Sequence, residues 1–66
     1  MIMRFWAARY KNGNTLFLWD DKPIWDDEDE VWYSSGNYFD IDKNLFPEVT
    51  FENSPQQVEI KLINNE

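Results

Sequence analysis

The sequence predicts an all-β fold: residues 1–66 form one small domain, an antiparallel sheet of four to five strands built from two hairpins plus a C-terminal strand, with at most one short helical turn. Three observations lead there. Asn12-Gly13 lies between two runs of apolar and aromatic residues, 4–10 and 15–21, which is the strongest short-range hairpin signal. Residues 57–63 alternate, with Val58, Ile60 and Leu62 on one side and Glu59 and Lys61 on the other, as a half-buried strand does. No segment holds a 3.6-residue apolar period for two turns.

The first hairpin organises the rest. A two-residue type I′ turn needs positive φ at both central positions, which Asn12 and Gly13 tolerate best. That turn sets Tyr10 opposite Thr15, Ala8 opposite Phe17, Trp6 opposite Trp19 and Arg4 opposite Asp21. The other face carries Phe5, Ala7 and Arg9 with Leu16, Leu18 and Asp20, so both faces hold large apolar side chains. A surface hairpin would alternate apolar with polar, so this one is expected to be central, with the main core on one side and a partly covered or binding surface on the other. Arg9 is expected to lay its stem on apolar surface and keep its head in water.

After it, Lys22-Pro23 breaks the strand, because Pro offers no N–H to a ladder and holds its predecessor extended. Ile24-Trp25 reads as a short edge segment, and Asp26, Asp27, Glu28, Asp29 and Glu30 as a solvated loop. Residues 31–41 read as a second hairpin turning at Gly36-Asn37, with Trp32 facing Ile41 and Ser34 facing Phe39. A single helical turn over 42–46 ends at Pro47, a short extended run covers 48–52, and 53–55 is a turn. Trp6, Phe17, Trp19, Trp32, Ile41, Val58, Ile60 and Leu62 are expected to be predominantly buried, and Trp25 to be the most exposed tryptophan.

The chain is similar, over most of its length, to a group of short, uncharacterised bacterial and phage-associated proteins. The matching stretches are Ala8-Arg9, Asn12-Gly13, Leu16 with Leu18, the Lys22-Pro23 break, and Phe46-Pro47-Glu48-Val49-Thr50-Phe51-Glu52, where Phe51 replaces the Trp of that pattern. The resemblance implies the same β fold and an origin in a phage or mobile element, and no particular chemistry.

Composition bounds the function. With no Cys and no His, disulfide frameworks, thiol nucleophiles, Cys/His zinc sites and imidazole-based catalysis are all excluded. A net charge of −7 argues against direct nucleic-acid binding or an anionic membrane surface, and favours a basic protein partner. No apolar run approaches the ~20 residues that span a bilayer, and the N-terminal residues lack a signal-peptide layout, so the expected location is cytoplasmic.

Residues 20–30 hold seven acids against Lys22, so six of the seven net negative charges (−7 + 1 = −6) lie there. No Gly interrupts Asp26 to Glu30, which does not suit a hand-type calcium loop, and five adjacent acids single out no catalytic pair. No enzyme activity, metal or cofactor is expected. The expected function is a protein-interaction module in which Trp25, Asp26, Asp27, Glu28, Asp29, Glu30 and Trp32 contact a basic partner, tryptophans anchoring and charges steering. Its special case is nucleic-acid mimicry at a host enzyme's DNA site; the alternative is a structural domain that self-associates as a homodimer.

The Asn12-Gly13 turn sets the first prediction. Gly13→Val should cost more than about 1 kcal/mol, read as a lowered chemical-denaturation midpoint, because a β-branched residue is strained at positive φ.

Overall fold

The computed structural model describes residues 2–61. Six strands form two antiparallel sheets: β1 (Ile2–Arg9), β2 (Leu16–Trp19), β3 (Ile24–Asp26), β4 (Val31–Tyr33), β5 (Tyr38–Ile41) and β6 (Gln56–Lys61). One sheet runs β5-β2-β1-β6 and the other is the ribbon β3-β4. The all-β antiparallel fold is therefore the one the sequence indicates, with a different pairing in its second half.

The β1-β2 register sets Trp6 against Trp19 and Ala8 against Phe17, as expected. Its loop is not the two-residue turn. Gly13 N–H donates to Tyr10 O at 2.9 Å and Tyr10 N–H to Thr15 O at 2.8 Å, which makes a four-residue loop. Gly13 has φ +78°, whereas Asn12 is not left-handed. The Asn12 side chain instead accepts the Asn14 N–H at 2.7 Å. A four-residue and a two-residue loop centred on the same bond give the same register, so the pairing survives the change of turn. Arg4 lies opposite Glu59 of β6, not opposite Asp21.

Residues 31–41 do not form a hairpin. Strand β4 pairs back onto β3, with Trp25 opposite Trp32, while β5 pairs with β2, setting Ile41 opposite Leu16 and Phe39 opposite Leu18. Two local devices decide this. The acidic run closes β3 onto β4 as a tight turn, and Asp20 at the end of β2 captures the start of β5. Its carboxylate accepts from Asn37 N at 2.8 Å and Asn37 Nδ2 at 3.2 Å, and its own N–H donates to Asn37 O at 3.1 Å. Gly36 is required by this approach, since a Cβ there would fall on the Asp20 carboxylate.

The expected helical turn over 42–46 is instead a pair of chain reversals, Leu45 N–H to Asp42 O at 3.0 Å and Val49 N–H to Phe46 O at 2.9 Å. The run 48–52 is irregular rather than extended, and its polar side chains turn it: Asn53 Oδ1 accepts Thr50 N–H at 2.8 Å. The following turn is closed by Ser54 N–H to Phe51 O at 3.2 Å.

Both faces of the large sheet are covered, by different parts of the chain. On one face Ala7, Leu16 and Leu18 meet Val49, flanked by Phe5, Ile41, Phe46, Val58 and Ile60. On the other, Ala8 and Trp19 meet Trp32 of the ribbon, flanked by Trp6, Tyr10, Phe17, Trp25 and Phe51. Trp19 and Trp32 are buried as expected; Trp6, Phe17, Ile41, Val58 and Ile60 are only half-buried, and Leu62 lies outside the described residues. The largest fully enclosed side chains among the described residues are Leu16, Val49 and Pro23. Leu16 and Leu18 point at the face opposite Trp6, Phe17 and Trp19, and the strand pattern leaves open which face of the hairpin is core; Val49 and Pro23 sit in irregular segments, where periodicity carries no signal.

Arg9 joins these layers, and its head does not reach water. The residue is 8% exposed. Nε–H donates to Val49 O, Nη1 to Lys43 O at 2.9 Å and Gly13 O at 3.4 Å, and Nη2 to Leu45 O and Phe46 O at 3.2 Å each. A guanidinium has five N–H donors in a planar fork, and here each has a carbonyl acceptor. Phe46, at φ 49°, is one of two non-Gly residues in the left-handed region among the described residues, the turned backbone that brings its carbonyl to Arg9. An arrangement of this kind cannot be read from a strand pattern, because all its acceptors are backbone atoms of distant loops.

Arg9→Met should destabilise by about 3 kcal/mol or more, since it strands several buried carbonyls at once. Arg9→Lys should recover little of that loss, having three donors and no fork. Urea denaturation followed by tryptophan fluorescence reads both.

Candidate functional site

The acidic run is the turn of the β3-β4 hairpin, and its five carboxylates are not equivalent. Asp26 closes β3, is half-buried, and accepts the Glu28 N–H at 2.9 Å and the Asp29 N–H at 3.3 Å with one oxygen. This is the Asx geometry that lets a short side chain cap a turn in place of backbone. Asp27 accepts the Trp25 indole N–H at 3.2 Å. Glu30 reverses the chain at φ 56° and faces Lys11 across 3.5 Å, with both side chains about 61% exposed. A pair so exposed contributes little. Glu28 and Asp29 project into solvent and meet no cation among the described residues.

Of the two tryptophans expected at the contact surface, neither is a free anchor. Trp32 is 6% exposed and donates its indole N–H to Arg9 O at 3.0 Å. It is a core side chain that clamps the ribbon to the large sheet. Trp25 is half-buried in an aromatic cluster, its ring centroid 4.8 Å from Phe51, 5.2 Å from Trp32 and 6.1 Å from Tyr10. The structure therefore gathers all seven expected residues on one hairpin, but turns its aromatics inward and its charges outward.

A second feature lies beside this turn. Where β4 passes over the β2-β5 side of the large sheet, a cleft of about 300 Å³ opens, lined by Phe17, Trp19, Val31, Trp32, Tyr33 and Tyr38 among others. Its outer rings are well exposed, Tyr33 at 55% and Tyr38 at 58%. Tyr38 pairs directly with Trp19, and its ring stacks on Phe17 at 5.3 Å between centroids, 7° from parallel. The Trp19 indole N–H is buried and has no acceptor among the described residues. Sequence reading missed this cleft because it placed Tyr38 in a hairpin with Tyr33; only the β2-β5 pairing brings it to Phe17 and Trp19.

Among the described residues no cluster of three or more acidic side chains is placed to hold a metal ion, and no helix is long and apolar enough to cross a membrane. Comparison with protein families, curated proteins and solved structures finds no match to this chain.

The asymmetry among the carboxylates is testable. Asp26→Ala should weaken the hairpin by about 1 kcal/mol, as the loss of a capping side chain does, while Asp26→Asn should not. Faster hydrogen exchange at the Glu28 and Asp29 amides in the Ala variant alone is the expected signature.

Proposed function

We propose that this protein is an interaction module that receives a basic protein partner on the face formed by the acidic turn of the ribbon. The single observation that supports this most is the division of labour in that turn. Asp26 holds the shape, and Glu28 and Asp29 are presented outward with no cation beside them among the described residues. A solubility device needs charges but not a capped, defined turn to carry them. Concentrated like charge at the tip of a hairpin steers a cationic partner toward one end of the molecule and raises its association rate.

The charges cluster at one turn rather than track along an extended surface, which favours a local contact over mimicry of a phosphate backbone. Self-association is the competing reading. Its best support is β5, an unpaired edge of the large sheet with Tyr38 and Phe39 more than half exposed. Yet Asp40 and Asp42 stand on or next to that edge, and inward or edge charges are how sheets resist pairing with copies of themselves.

The test is a triple variant, Asp27→Asn with Glu28→Gln and Asp29→Asn, which spares the capping Asp26 and the Lys11 partner Glu30. It should keep the wild-type denaturation midpoint and lose the partner recovered by affinity capture from host lysate at low salt. Wild-type capture should itself weaken as salt rises, because exposed charges are screened over ~10 Å at 0.1 M. Full capture by the triple variant with the same salt dependence would remove the turn from the function. A salt-resistant dimer in sedimentation would favour self-association.

A further inference from the structure

We propose that the aromatic cleft between β4 and the β2-β5 side of the large sheet is a binding site for an organic cation, the Lys or Arg side chain of a basic segment. This deepens the reading of a basic partner and rests on it for the identity of the ligand's source. Three observations carry it.

The first is the wall itself. Phe17 and Tyr38 stack 5.3 Å apart, and Trp19 lies 5.0 Å from Tyr38 at 35°. The tyrosines of the two sheets, Tyr33 and Tyr38, keep more than half their surface open. Aromatic faces carry negative quadrupole charge and attract ammonium and guanidinium groups.

The second is a carboxylate at the wall. Asp40 lies directly across from Phe17 in the β2-β5 ladder, two residues from Tyr38 and therefore on the same face of the sheet. It is exposed and has no ion pair among the described residues. A cation drawn onto the rings would meet a counter-charge beside them.

The third is that the chain already uses this chemistry on the same face. Lys22 places its ammonium 5.2 Å from the centroid of the Trp6 ring, and Trp6 is the cross-strand neighbour of Trp19. The cleft repeats the arrangement with no cation of its own among the described residues. An apolar occupant would gain from the rings as well, but it would gain nothing from Asp40 or from a net charge of −7.

The experiment uses the full chain and the pentapeptides Gly-Gly-X-Gly-Gly, with X as Lys, trimethyl-Lys, Arg or the neutral norleucine, titrated at 0.15 M salt and followed by NMR shifts. At least one cationic peptide should bind at least about tenfold more tightly than the norleucine peptide, with shifts centred on Tyr38, Trp19 and Tyr33. The rank order among the three cations identifies whether the source is a Lys, a methylated Lys or an Arg. Tyr38→Leu keeps an apolar side chain at an exposed position and should weaken the best peptide at least about tenfold, and Asp40→Asn a few-fold. Asp40→Asn should retain the wild-type denaturation midpoint within error, and Tyr38→Leu, which gives up its stacking on Phe17 and Trp19, should have a lowered midpoint but keep the wild-type NMR dispersion at the titration conditions, which separates loss of the site from loss of fold.

Equal binding of norleucine would reduce the cleft to an apolar groove and overturn the proposal. So would shifts confined to residues 27–29, undiminished binding by Tyr38→Leu, or no binding by any peptide. The triple acidic-turn variant keeps the two readings apart. Lost capture in that variant with no peptide binding would sink the cleft alone, and peptide binding with capture unchanged would sink the acidic turn alone.

Discussion

Nearly everything in this fold passes through Arg9. Its side chain, buried with no carboxylate partner among the described residues, draws five backbone carbonyls from residues 13, 43, 45, 46 and 49 onto one guanidinium. Its main chain does as much on the other side. Strand β6 pairs with β1 only as far as Ala7, so the Arg9 N–H and C=O on that edge have no ladder partner. Ser54 Oγ accepts the first at 2.9 Å and the Trp32 indole satisfies the second at 3.0 Å. One residue thereby ties an irregular loop to one face of the sheet and the β3-β4 ribbon to the other. A buried charge is costly unless every donor is satisfied, so the loop's shape and the arginine's burial require each other.

That requirement explains how a short chain covers a two-faced hairpin without a helix. Residues 42–49 do not have the apolar content of a strand or a helix face. Held by their carbonyls, they need contribute only Val49, with Phe46 beside it, to close the core over Leu16 and Leu18. The opposite face is closed by hydrophobic and aromatic packing instead, with Trp32 on Trp19 and Ala8 and with Trp25 and Phe51 at the margin. Small alanines on β1 permit both approaches: Ala7 and Ala8 are fully buried, one on each face. Larger residues there would hold both covering layers off the sheet.

The proposed contact surface follows from the ribbon's placement. Because Trp32 is committed to the core, the tight turn at the ribbon's end carries its carboxylates away from the sheet, and β4 overhangs the aromatic residues of β2 and β5. Acidic turn and aromatic cleft are thus products of one docking event. Asp20 and Gly36 complete it by setting where β5 begins, which brings Tyr38 against Phe17 and Trp19. Under the proposed reading, a partner with a cationic segment would meet charge at the tip and rings in the cleft, the combination in which steering and desolvated contact are divided between neighbouring groups.

The sequence by itself determined the local features. Alternation and turn chemistry are short-range properties, so the all-β class, the β1-β2 register, the strand containing Val58 and Ile60, and the exposure of the acidic residues 27–30 could all be read from neighbours in the chain. The tertiary structure alone decided what is non-local. Gly36-Asn37 has the composition of a hairpin turn, yet Asp20, seventeen residues before Asn37, captures it and sends β5 to β2. Arg9 reads as a surface side chain because its acceptors are carbonyls, which no residue type announces. Trp25 and Trp32 sit beside five acids in sequence and still turn inward, since burying aromatic area on the sheet outweighs the pull of a solvated turn that the backbone can separate from them within one or two residues.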